Sequence, residues 1–191
     1  MIFTNLYIFI MAAVLALLEI QIEGPNGWAK NLPTWRPDPS RPIAKIYSKM
    51  MSGKELTGYH ALLFPFIILI FHLTFFLGAP FTLENEAKIL SLYFIFIALE
   101  DFLWFVLNPY HPLKNFTKQN INHKSFFLGM PTDYYFAILM SLLVVIPIYF
   151  LGNIGIIAWW SENVVLFVVE TVVVILFSIL VLDIDNWQKK V

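Results

Sequence analysis

The chain has 191 residues, 59% hydrophobic and 13% charged, with a mean hydropathy of +0.74 and a formal net charge of -1. A soluble domain of this size needs a larger polar fraction to cover its surface, so the composition indicates an integral membrane protein. The near-neutral charge gives no basic face for a nucleic acid, and the absence of cysteine excludes disulfides, thiolate metal sites and cysteine nucleophiles.

A membrane span needs roughly 20 mostly apolar residues. Five such stretches occur, at about 3–22, 59–79, 87–107, 133–151 and 163–183. They predict an all-α bundle of five transmembrane helices forming one domain over 1–191. The first stretch has no Lys or Arg before it and no small-x-small site after it, so it reads as a retained span and not a cleaved signal peptide. The loop that follows, 23–58, carries prolines 25, 33, 37, 39 and 42, which limit helix. Within it, "IAKIYSKMMS" (43–52) has the spacing of a short amphipathic helix at a membrane surface, with Lys45 and Lys49 on one face. Thr82 is the expected N-cap of the third span, Thr132 or Asp133 of the fourth and Ser161 of the fifth. "NIGIIAWWSEN" (153–163) reads as a short interfacial turn, because glycines and the Trp159/Trp160 pair interrupt the periodicity.

Eleven basic residues fall on one side of this arrangement: Lys30, Arg36, Arg41, Lys45, Lys49, Lys54, Lys114, Lys118, Lys124, Lys189 and Lys190. Only Lys88 falls on the other. By the positive-inside rule the N-terminus is expected outside and the C-terminus in the cytoplasm, in the plasma or inner membrane. The sequon at Asn115 then lies on the cytoplasmic side and is discounted.

Ionisable residues inside spans are costly and are usually retained for a reason. Placed by about 1.5 Å of rise per residue, Glu19, Glu23, His60, Glu100, Asp101, Asn108, His111, His123 and Asp133 all fall in the cytoplasmic half or at its surface. If the helices bundle, they converge on one pocket, with Trp28 and Trp35 as its floor. Glu23 alone reads as an interfacial charge, Asp133 equally well as a cap, and His111 and His123 as solvated. Glu19 with Glu100 and Asp101 is the informative set: three carboxylates on two spans at matched depth. These three are the candidate catalytic residues, and Trp28, Trp104 and Asn108 the candidate substrate contacts. Glu19, His60, Glu100 and His123 are the candidate ligands of a divalent metal such as zinc, iron or manganese. Without a metal, a close carboxylate pair can share a proton and serve as a general acid. His72 and Glu170 lie in the outer half, where a pair between them is geometrically allowed.

There is no HExxH, GxSxG, P-loop or DDxxD, and four scattered histidines cannot build the clusters of membrane desaturases. The stretches "IEGPNGWAKNLPTWR" (22–36), "LTGYH" (56–60), "LEDFLWFVLNP" (99–109) and "HKSFFLGMPTDYY" (123–135) together resemble a group of small prokaryotic polytopic membrane proteins. "ALEDFLWF" also resembles the acidic helix motif of the heterodimer-type lycopene cyclases, in which acids on a span are thought to protonate a polyene. Only Glu100 and Asp101 carry over, because no proline precedes the acids, Trp104 stands in the following apolar pair, and the motif occurs once. The expected function is a membrane enzyme acting on a lipid or isoprenoid from the cytoplasmic leaflet, with membrane lipid as its partner. The alternative is a non-enzyme, either an accessory subunit bound to other membrane subunits or a small transporter.

Overall fold

The computed structural model describes residues 2–51, 53–111, 113, 116, 123, 125–184 and 186, with only the backbone at Met50. Lys114, Asn115, Lys118, Lys124, Lys189 and Lys190, used above for orientation, lie outside the described residues.

Five helices are long and apolar enough to cross a membrane. They are α1 (Ile2–Glu23), α3 (Gly58–Phe76), α4 (Leu83–Leu107), α5 (Thr132–Phe150) and α6 (Gly155–Leu180). The short α2 (Pro42–Met50) occupies the long loop, where the amphipathic pattern placed it. Its Ile43 and Ile46 are exposed while Ala44 is buried. A two-residue hairpin pairs Phe126–Phe127 with Met130–Pro131 just before α5.

Helix α4 is the central helix. Most of its length is buried, whereas the other four long helices present most of their surface outward. It packs on α1, α3, α5 and α6. The core that results is aromatic and aliphatic, with Phe9, Phe71, Phe96, Phe105 and Phe167 in one continuous cluster. Helices α3 and α5 both lie against α4 without packing extensively on each other.

Helix limits follow local chemistry. Thr82 caps α4 by accepting from the Asn85 N–H at 3.1 Å, as its residue type predicts. Asn108-Pro109 ends α4, because the residue before a proline is pushed out of the helical region. Three expectations fail. The 153–163 segment is not an interfacial turn: α6 starts at Gly155 and runs through it. Its polar residues are absorbed by helix contacts. Trp160 Nε1 donates to Ser141 Oγ, Asn163 Nδ2 donates to the Trp159 carbonyl, and Asn5 Nδ2 donates to Asn163 Oδ1 across the α1–α6 interface. Ser161 therefore caps nothing; its hydroxyl donates back to Ala158 within the helix. Neither Thr132 nor Asp133 caps α5, whose N-cap position is Pro131 with no side-chain bond.

Candidate functional site

Four separate stretches of sequence meet at one end of the bundle. The C-terminal turns of α1 bring Glu19 and Glu23. The start of α3 brings Tyr59 and His60. The C-terminal part of α4 brings Glu100, Asp101 and Trp104. The start of α5 brings Asp133 and Tyr134, with His123 beside them from the preceding loop. All of these except Tyr59, which bonds Glu19 from behind, line a cavity of about 440 Å³. Its polar end is joined to an apolar channel formed by Leu63, Phe64 and Ile67 of α3, Phe94 and Ile97 of α4, and Phe136 of α5.

The loop between α1 and α2 closes the polar end. Gly24 and Gly27 take positive φ, and so do Trp28 (49°) and Ala29 (50°), a left-handed region that non-glycine residues rarely enter. Strain of this kind costs about 1–3 kcal/mol per residue and persists where the surroundings enforce it. Here it aims two groups at the site. The Ala29 N–H donates to Glu23 Oε1, and the Trp28 ring stacks on His60 with centroids 3.9 Å apart. Arg36 pins the loop from behind by donating to the Ala29, Leu32 and Thr34 carbonyls and to Glu55. The Thr34–Trp35 backbone then lies against the start of α3, where Gly58 N–H donates to the Trp35 carbonyl at 2.7 Å. A Cβ on Gly58 would come within 3.1 Å of Thr34 Oγ1, so glycine permits this approach.

The titratable groups fall into two sets. In the first, Glu19, Glu23 and His60 are all buried, and one potential ligand atom from each lies within 4.8 Å of the others. Each has an outer partner: Tyr59 Oη donates to Glu19 Oε1 at 3.0 Å, Ala29 N–H donates to Glu23, and Thr57 Oγ1 bonds His60 Nδ1 at 2.8 Å. His60 Nε2 faces Glu23 Oε1 at 3.7 Å. Glu100 is within hydrogen-bonding reach of Glu19, and its Oε1 is buried with no partner among the described residues.

In the second set, His123 bridges two carboxylates. Its Nε2 is 2.9 Å from Asp101 Oδ2 and its Nδ1 is 3.2 Å from Asp133 Oδ2. Tyr134 Oη also donates to Asp101 Oδ2. A ring with an ionised carboxylate on each nitrogen needs both N–H groups, so this geometry selects the imidazolium. Burial pushes the His123 pKa down, but the bonds to Asp101 and Asp133 outweigh it and hold the group above its ordinary value.

Several sequence-based placements change. Glu23 is not an interfacial charge; it is buried and belongs to the first set. His123 is not with Glu19 and His60, because Asp101 and Asp133 occupy both of its nitrogens. His111 is not solvated: it is buried, bonds the Pro25 carbonyl through Nε2 at 2.8 Å and stacks on Trp104. Asn108 does not line the cavity; its Oδ1 accepts from the Tyr110 N–H and shapes the turn after α4. Trp28 and Trp104 line it, whereas Trp35 is exposed and does not. His72 does not pair with Glu170. It contacts Glu86 at 3.1 Å and the Ile68 carbonyl at 2.7 Å, while Glu170 Oε2 has no partner. Sequence reasoning missed Tyr59, Lys54 and Tyr134 as site residues. The first and last are adjacent to His60 and Asp133, which is the signal that was available.

No family model matches the chain, and no curated protein or solved structure was found similar to it.

Proposed function

We propose that the protein is a membrane-embedded enzyme that acts on a lipid or isoprenoid amphiphile. The observation that carries this reading is the shape of the cavity, which is charged at one end and apolar along the channel between α3 and α5. Because these two helices do not pack extensively on each other, an apolar chain can enter sideways along the face of α4. A bound amphiphile would put its polar head among Glu19, Glu100 and Asp101. The Asp133–His123–Asp101 bridge connects a half-exposed carboxylate to the cavity interior, which suits proton delivery to a reacting group. Trp28 and Trp104 flank the head position.

We place the site at the cytoplasmic leaflet, with the N-terminus outside, because eleven of the twelve basic residues belong to segments on that side. A transport function is supported less well. Neither His72 nor Glu86 lines the cavity, whose wall includes Tyr93 and Phe96 packed edge-on against Phe71.

The test is a comparison of lipid extracts from cells carrying the wild type, no copy, or Asp101→Asn. A lipid or isoprenoid species that changes on deletion and is not restored by Asp101→Asn supports the reading. Identical extracts in all three would remove it.

A further inference from the structure

We infer that Glu19, Glu23 and His60 bind one divalent cation of the zinc or manganese kind, with Glu100 at the open side of the site. The site lies in the cavity proposed above for an amphiphile, yet cation binding stands without that reading and is measured without any activity.

The donor set is two carboxylates and one imidazole, with no thiolate in the chain, which matches zinc, manganese or ferrous iron better than a soft metal. Geometry is consistent. An ion equidistant from three atoms 4.8 Å apart is about 2.8 Å from each, so side-chain movements of about 0.7 Å bring contacts to about 2.1 Å. The closer pair, Glu23 Oε1 and His60 Nε2 at 3.7 Å, already subtends about 120° at an ion about 2.1 Å from both, near the tetrahedral value.

The outer partners point the same way. Ligating histidines usually donate their other ring N–H to a neighbouring acceptor, and ligating carboxylates are themselves hydrogen-bonded. In the tautomer whose Nδ1–H donates to Thr57 Oγ1, His60 turns a lone pair toward Glu23. A lone pair facing a carboxylate oxygen across that distance is repulsive unless a proton or a metal lies between them.

A second observation is independent of the cluster. Glu100 Oε1 is buried without a partner among the described residues while Glu100 lines the same cavity. An orphaned buried carboxylate oxygen costs more than an ordinary missing hydrogen bond, so its retention is explained if it faces a ligand. Charge balance agrees. Five carboxylates line the cavity: Glu19, Glu23, Glu100, Asp101 and Asp133. Among the described residues, the cations beside them are Lys54, whose Nζ sits 4.2 Å from the Trp28 ring, and the His123 imidazolium, which Asp101 and Asp133 already engage. The surplus of carboxyl groups over cations is concentrated at Glu19, Glu23 and Glu100.

The experiment uses the full chain in detergent micelles, stripped with a chelator and titrated with Mn²⁺, the free ion being followed by electron paramagnetic resonance. The wild type is expected to bind one Mn²⁺ per chain, displaced by Zn²⁺. Glu23→Gln removes a ligand and is expected to weaken binding by at least about tenfold. Tyr59→Phe removes only the outer bond to Glu19 and is expected to weaken it by about tenfold. Glu170→Gln, which removes a carboxyl group of α6 that does not line the cavity, should bind like the wild type. Lack of saturable binding in the wild type overturns the inference. So does a Glu23→Gln protein that binds normally, or a loss in Glu170→Gln as large as in Glu23→Gln. If Glu23→Gln does not fold by circular dichroism, Tyr59→Phe is judged in its place, and normal binding there overturns the inference. A failed lipid comparison leaves this result unaffected, so the two readings fail separately.

Discussion

The His123 bridge makes the most quantitative demand on the protein. Replacing His123 by Gln keeps a polar group of similar reach but removes the charge and one of the two donors aimed at carboxylates. The bond to Asp101 is short and nearly dry on the histidine side, whose side chain is 2% exposed. A charge-assisted bond of that kind contributes about 1.5–3 kcal/mol. Asp133 is 43% exposed, so its share is discounted to about 0.5 kcal/mol for solvent screening. His123→Gln is therefore expected to cost about 2–3 kcal/mol at neutral pH. Because folding raises the His123 pKa, this stabilisation is fully present below the ordinary value of 6.5 and is lost as pH rises through the raised value. Thermal unfolding in micelles from about pH 6 to about pH 9 measures it: the gap between wild type and His123→Gln should be widest at the acid end and narrow as the pH rises. Proton–nitrogen NMR of histidine-labelled protein gives a direct check, since both ring nitrogens should carry protons at neutral pH. A gap that does not change with pH, or a ring with a single N–H, would refute the bridge as described.

Three other outcomes follow from single contacts. Arg36→Ala removes the donor that ties the carbonyls of Ala29, Leu32 and Thr34 to Glu55; limited proteolysis should cut within 24–57 faster while the long helices stay intact, and unchanged cutting would show that the loop is held by something else. Gly58→Ala puts a Cβ 3.1 Å from Thr34 Oγ1 and 3.2 Å from Trp35 Cβ, a mild overpacking expected to cost about 1–3 kcal/mol and to speed hydrogen exchange at the Tyr59 N–H, which now donates to Thr34. Glu170 has an oxygen with no partner among the described residues inside an apolar helix, so Glu170→Leu should raise thermal stability by about 1–3 kcal/mol. A loss of stability in that variant would mean that Glu170 has a partner in the folded state.

Legibility in the sequence depended on the physical range of each signal. The five helices came from apolar runs, a local property, and the ends at Thr82 and Asn108-Pro109 came from side chains that act within one turn. The start of α6 was misread because Gly155, the tryptophans and Asn163 are locally unfavourable to a span. What overrides them is distant in sequence: Asn5 on α1 and Ser141 on α5 satisfy the polar atoms. Depth along each helix was readable from rise per residue, which is why Glu19, His60, Glu100 and Asp101 were expected at one level. Rotation about each helix was not readable. Glu100 and Asp101, about 100° apart around α4, serve different sets, and no periodicity in so apolar a helix says which neighbour each will face. His111 and His123 lie in a loop, where sequence carries neither depth nor direction.

The division between the two sets also reflects helix polarity. Asp133 sits in the first turn of α5, where the helix dipole presents partial positive charge to a carboxylate, and His123 supplies a full positive charge beside it. Glu19 and Glu23 sit in the last two turns of α1, where the dipole presents carbonyl oxygens and is unfavourable to anions by about 0.3–1 kcal/mol. Helix α1 has no basic residue in its last turn to offset this. One half of the cavity thus has its need for positive charge met by residues of the chain. The other half gathers Glu19 and Glu23 at the wrong end of α1 and Glu100 from α4, with a histidine beside a threonine and a carboxylate oxygen that has no partner among the described residues. An arrangement so short of positive charge fits a cation supplied from outside the chain better than it fits helix packing alone.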